Sequence, residues 1–97
     1  MTKRPQASAT LLADDARVRV TRFDFSPGSE TGWHIHAMDY VITAITDCEM
    51  ALEDPDGTTR NVTVKAGEAY TRAKGVKHNV INAGPSPMSF VEVELKD

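Results

Sequence analysis

Residues Gly28–Tyr40 read GSETGWHIHAMDY, and the fold turns on how this stretch is read. His34 and His36 stand one residue apart in a run too short and too rich in flanking glycine for a helix. On a strand, side chains at i and i+2 leave the same face with their Cα atoms about 7 Å apart, so the two imidazoles point together. That spacing suits two histidines meeting one metal ion. The third histidine, His78, lies far downstream in GEAYTRAKGVKHNVIN (67–82). It joins the pair only if the fold returns a second strand beside the first.

The flanks of this stretch read as strands. In RVRVTRFDF (17–25), Val18 and Val20 alternate with arginines, and Phe23 and Phe25 alternate with Arg22 and Asp24. The apolar phase shifts between Val20 and Phe23, which suggests a bulge or a strand passing from one sheet to another. DYVITAIT (39–46) is rich in β-branched residues. EMALE (49–53) runs into Pro55, Asp56 and Gly57, a turn in which proline presets φ and glycine takes the positive φ that closes a hairpin onto TRNVTVK (59–65). AYTR, HNVIN and SFVEVEL follow, and in the last Val91, Val93 and Leu95 alternate with Glu92 and Glu94. No segment shows a 3.6-residue period. About eight short strands between Gly, Pro and Asp turns predict an all-β sandwich or barrel. Residues 1–10 are polar and without periodicity, so they read as a flexible segment, frayed or lying along a partner, ahead of one domain over 11–97.

A chain of 97 residues supports one core, small enough that pairing with a second copy adds stability. A homodimer is expected on that ground and because Leu11, Leu12, Phe90, Val91 and Val93 exceed what one short barrel covers. With 40% hydrophobic and 26% charged residues and a formal charge of −3, the composition is that of a soluble globular protein. No basic patch points to nucleic acid. No apolar run has the length of a membrane span or a signal-peptide core, so a cytoplasmic protein is expected. A single cysteine, Cys48, fits a reducing compartment and reads as a small strand-end residue more readily than as a nucleophile or metal ligand.

Two motifs in this sequence resemble those of the cupin family. Gly28 is followed by five residues and then by His34 and His36; the family's glutamate falls on Tyr40 and its closing glycine on Asp47. Gly67, Gly75, His78 and Asn82 stand at the spacing of the second motif, with Ala73 where proline is usual. Within the family, GSETGWHIHAMDYV and KGVKHNVINAG resemble small single-domain cupins, some of them named as beta-alanine degradation proteins. The resemblance implies a double-stranded β-helix, a jelly-roll barrel of two antiparallel sheets, with His34, His36 and His78 converging inside on a divalent metal.

Other residues are candidates around that site. Tyr40 is the expected catalytic group, a neutral phenol where most metal cupins place a carboxylate, acting as hydrogen-bond donor or proton shuttle to a bound ligand, with direct coordination of the metal as the alternative. Filling the barrel interior, with its hydroxyl satisfied on backbone, is the competing role. Asp39 and Glu68 are the other possible bases. Arg72 at the barrel mouth and Asn82 on the strand of His78 are candidate substrate-binding residues, against a solvated arginine and a loop-holding amide. Gly67 and Gly75 read as turn glycines. Trp33, of opposite parity to the histidines, is expected to pack between sheets or subunits. Three readings follow. One is a three-histidine metalloenzyme, Fe(II) dioxygenase-like, acting on a small anionic metabolite such as an amino or keto acid, with Zn, Ni or Mn fitting the same ligands. Another is a binding or sensing module that holds metal or small molecule without turnover. A metal-free barrel with vestigial histidines is the third.

Overall fold

A computed structural model describes residues 3–96; Met1, Thr2 and Asp97 lie outside it. The described residues contain no helix and form nine strands: β1 (Ser8–Asp14), β2 (Val18–Phe25), β3 (His34–Ile35), β4 (Asp39–Ala44), β5 (Cys48–Glu53), β6 (Thr59–Val64), β7 (Ala69–Arg72), β8 (Lys77–Asn82) and β9 (Met88–Leu95). A five-stranded sheet in the order β1-β2-β9-β4-β7 faces a four-stranded sheet in the order β3-β8-β5-β6, and every strand pairing is antiparallel. This is the all-β jelly roll, in which strands distant in sequence become neighbours and a shared interior lies between the sheets.

The hairpin read at Pro55–Gly57 joins β5 to β6, with the Gly57 amide donating to the Asp54 carbonyl and φ of 89° at Gly57. The phase shift read in RVRVTRFDF has another origin. Strand β2 pairs with β9 without interruption from Val18 to Phe25, and the irregularity lies in its other neighbour, β1, between Leu11 and Ala13. Val20 and Phe23 both carry apolar side chains because β2 has two apolar faces. Val20 stands in register with Val93 and Val41 on the outer face, while Phe23 stands in register with Phe90 on the inner one. Phe90 thus belongs to the core, packed between Phe23 and Phe25 at centroid distances of 5.5 and 5.4 Å, and not to the uncovered apolar set.

The first strand begins at Ser8, ahead of the boundary expected at residue 11. Residues ahead of it are held too. The Ala7 amide donates to the Glu30 carbonyl, the Glu30 amide donates to the Pro5 carbonyl, and Arg4 lies 3.1 Å from the Glu30 carboxylate. A segment with no periodicity can still be tied down by backbone pairing, which leaves no trace in side-chain pattern.

The core is built from Phe25, Ile42, Ala44, Met50, Leu52, Met88 and Phe90. Beside it, with Ile42, Met50 and Phe90 in its wall, lies a cavity of about 280 Å³ that the three histidines also line.

Candidate metal centre

Strand β3 places the first two histidines. Gly32, at φ 87°, turns the chain into it, and the Gly32 amide donates to Oδ1 of Asn79, a residue 1% exposed on β8. The Asn79 amide nitrogen donates in turn to Glu30 (2.7 Å) and Glu53 (2.9 Å), so the loop ahead of His34 is latched to the outer side of the four-stranded sheet. His34 stands directly across from His78 in the β3–β8 register. The Gly75 amide donates to the His36 carbonyl at 2.8 Å, so that the turn before β8 grips the residue after β3. Gly75 adopts φ of 98°, a conformation side-chain-bearing residues rarely take.

The three imidazoles converge. His34 Nε2 and His36 Nε2 lie 3.0 Å apart, as do His36 Nε2 and His78 Nε2. Two bonds of about 2.1 Å at right angles around one ion separate their donor atoms by about 3.0 Å, whereas a tetrahedral angle gives about 3.4 Å. His34 Nδ1 donates to the Gly32 carbonyl at 2.8 Å, which leaves the lone pair on Nε2, facing the other two rings. Burial, reinforced by the neighbouring His34, lowers the His36 and His78 pKa values to about 4, so both are neutral donors near pH 7. Among the described residues these three form the cluster whose donor atoms could hold a metal ion, and its chemistry fits a divalent one.

The opposite wall of the cavity belongs to the five-stranded sheet. Tyr40 is 2% exposed, and its ring lies flat on His36 at a centroid distance of 3.8 Å and an interplanar angle of 14°. Its hydroxyl is buried and, like His78 Nδ1, has no hydrogen-bond partner among the described residues. Burial pushes the Tyr40 pKa up to about 12, so it remains a phenol. The cross-strand register continues from Tyr40 to Glu94 and from Ile42 to Glu92, which turns both glutamates toward the cavity they line. Glu92 Oε1 lies 3.8 Å from His36 Nδ1. Burial, then the neighbouring Glu94 charge, raise the Glu92 pKa to about 7.

The glutamates are the residues that sequence reading passed over. SFVEVEL alternates cleanly, but alternation does not say which face is inside; Phe90, of the same parity as Glu92, carried the signal. The candidates that were named separate. Asp39 and Glu68 are exposed and accept backbone N–H groups, from Lys74 and Lys65 respectively, in surface turns. Arg72 stands opposite Tyr40 on β7, facing inward, but lines a neighbouring cleft between β6 and β7 instead of the histidine cavity. Asn82 is buried away from the cavity; its Nδ2 donates to the Ser86 carbonyl at 2.8 Å and its Oδ1 accepts the Gly84 amide. This is the loop-holding role. Trp33 is 51% exposed, so within one chain it does not pack between the sheets. Cys48 is buried in the core, where its thiol reaches the Thr46 and Ser89 carbonyls.

Comparison with known proteins agrees with this architecture. A family model described as a cupin domain matches residues 21–94. The beta-alanine degradation protein BauB of Pseudomonas aeruginosa is 49% identical over 96 residues, covering 99% of this chain and 100% of the relative. Among solved structures, a cupin domain from Bordetella pertussis superposes with a TM-score of 0.95 at 45% identity, covering 100% of both chains. The polyketide cyclase RemF from Streptomyces resistomycificus superposes with a TM-score of 0.71 at 26% identity, over 99% of this chain and 71% of that one.

Proposed function

The chain belongs to the cupin family, and from that premise we propose that it is a three-histidine metalloenzyme of the Fe(II) dioxygenase type acting on a small carboxylate-bearing metabolite. The observation that carries this reading is the convergence of three imidazole nitrogens, His36 Nε2 lying 3.0 Å from both others, in a cavity of about 280 Å³. His34, His36 and His78 would hold the ion, and Zn, Ni or Mn suits the same donors. Bound there, an open-sided divalent ion supplies a positive centre with vacant positions for a chelating ligand and for dioxygen.

The protein's own residues do the rest. His34 is fixed in its tautomer by the Gly32 carbonyl. Tyr40, neutral and without a partner, offers its O–H to a ligand in the cavity. The apolar lining from Phe23, Ile42, Met50 and Phe90 limits water around that ligand. The name of the Pseudomonas relative points to small amino or keto acids as the first compounds to try.

Metal content of protein purified without supplementation, followed by oxygen uptake of the Fe(II)-loaded protein with a panel of such acids, tests the reading. Metal without oxygen uptake for any acid would leave a binding or sensing protein. Absence of metal would sink the site.

We further propose a homodimer. The outer face of the five-stranded sheet aligns Val20, Val93 and Val41 across three strands beside Leu95, which is 42% exposed. Leu11 and Leu12 on β1 add to the uncovered apolar surface. Sedimentation at micromolar concentration checks this; the mass of a single chain is the contrary result.

A further inference from the structure

Glu92 and Glu94 occupy alternate positions of β9, so their Cα atoms stand about 7 Å apart on one face. Both line the histidine cavity, whose lining residues include no lysine or arginine. Among the described residues neither carboxylate forms an ion pair with lysine or arginine; Glu92 Oε1 lies 3.8 Å from His36 Nδ1. Two cations face them from other elements, and neither forms an ion pair with them. Arg19, in register with Glu94, is exposed and paired with Asp14 at 3.4 Å. Arg72 stands beyond Tyr40, two strands from β9 and so about 10 Å across the sheet. Tyr40 lines the same cavity, and its hydroxyl is buried with no partner among the described residues. Neighbouring carboxylates in a largely apolar cavity are costly unless a cation joins them, and a buried hydroxyl without a partner marks a place where a polar group is received.

We infer that the ligand of this cavity carries a cationic amine seated against Glu92 and Glu94, which makes it a small amino acid and not a keto acid. The inference rests on the metal-site reading in one respect, that the ligand's carboxylate turns toward the histidine cluster. An ammonium group donates up to three hydrogen bonds, enough to engage both carboxylates at once. Arg72, on the far side of Tyr40, leaves that face of the sheet acidic on one side and basic on the other.

The experiment is calorimetric titration of the Ni(II)-loaded protein with glycine, 3-aminopropanoate and 4-aminobutanoate, each beside its amine-free counterpart acetate, propanoate or butanoate. At least one amino acid is expected to bind tenfold or more tightly than its counterpart. Glu92→Gln and Glu94→Gln should each reduce that ratio severalfold, and the double variant should abolish it. Equal binding within every pair, no binding at all, or a ratio that survives the double variant overturns the inference. Nickel content measured on the same samples judges the metal site separately. A wild-type protein that holds no nickel yet keeps the amine preference would refute the metal reading and uphold this one.

Discussion

The two walls of the cavity are built on different terms. On the four-stranded sheet, His34 and His78 face one another across β3 and β8, their loops are latched by Asn79 and Gly75, and the imidazoles answer one another at 3.0 Å. On the five-stranded sheet, Tyr40 has no partner for its hydroxyl and Glu92 and Glu94 have no lysine or arginine among the described residues. The first wall leaves one buried atom unmet, His78 Nδ1, and its imidazoles converge to receive one ion. The second is a set of unmet polar groups, and such groups persist in a folded interior where something outside the chain meets them.

The sharpest way to break this comparison is to remove the first wall. Replacing any one of His34, His36 or His78 with Ala should weaken metal affinity by about a hundredfold or more, beyond the 10- to 100-fold typical of losing a supporting partner. The triple variant should hold none, by elemental analysis. A triple variant that keeps its metal would refute the assignment.

The walls should also titrate in opposite directions in metal-free protein. His36 and His78 have folded pKa values near 4, below the unfolded value of about 6.5, so the unfolded chain binds more protons between those limits. Stability should fall by several kcal/mol in order of magnitude as pH drops from about 6.5 to 4. Glu92 has its folded pKa near 7, above the ordinary carboxylate value, so its ionisation costs stability as pH rises from about 4.5 through 7. Glu92→Gln should therefore stabilise the metal-free protein at pH 8, by on the order of 1–3 kcal/mol, and much less at pH 5. Urea unfolding at the two pH values reads the difference; equal effects would mean that Glu92 is not buried as described.

Asn82→Ala tests whether β8 serves the cavity beyond His78. The loss of its bonds to Ser86 and Gly84 should cost about 1–3 kcal/mol in chemical denaturation and leave metal content and ligand affinity unchanged. Weakened ligand binding at full stability would restore Asn82 to the site. The smallest effect is expected at Tyr40. Tyr40→Phe removes a buried hydroxyl that bonds to nothing in the chain, so stability should stay equal or rise by about 1 kcal/mol, with metal affinity within a few-fold. Ligand affinity should fall. Loss of metal would show that the phenol coordinates the ion, and unchanged ligand affinity would leave only its packing on His36.

The first wall was legible because its information is local. His34 and His36 share a face by parity alone, and His78 joined them through the resemblance of Gly67, Gly75, His78 and Asn82 to the second cupin motif. The second wall was not, for a physical reason specific to strands. SFVEVEL has valines on one face and glutamates on the other, and alternation alone does not say which face is inside; pairing with β2 and β4 decides it, since Phe90 and Ile42 fix the inner face and the valines join an outer apolar surface. A strand with two apolar-bearing faces takes its orientation from its neighbours.

What the sequence by itself determined is therefore the all-β class, the turn glycines and the shared face of His34 and His36, each set by strand parity and positive φ, while the jelly roll and the place of His78 came through the resemblance of its two motifs to the cupin family's. Only the tertiary structure decided where Glu92 and Glu94 point, that Asn82 holds a loop, that Arg72 lies in the adjoining cleft, and that residues 5–7 are tied to Glu30. These are properties of register between strands far apart in the chain. One residue of slip would exchange the faces of β9, and nothing in its own seven or eight residues forbids the slip; the apolar contacts of Phe90 with Phe23 and Phe25 do.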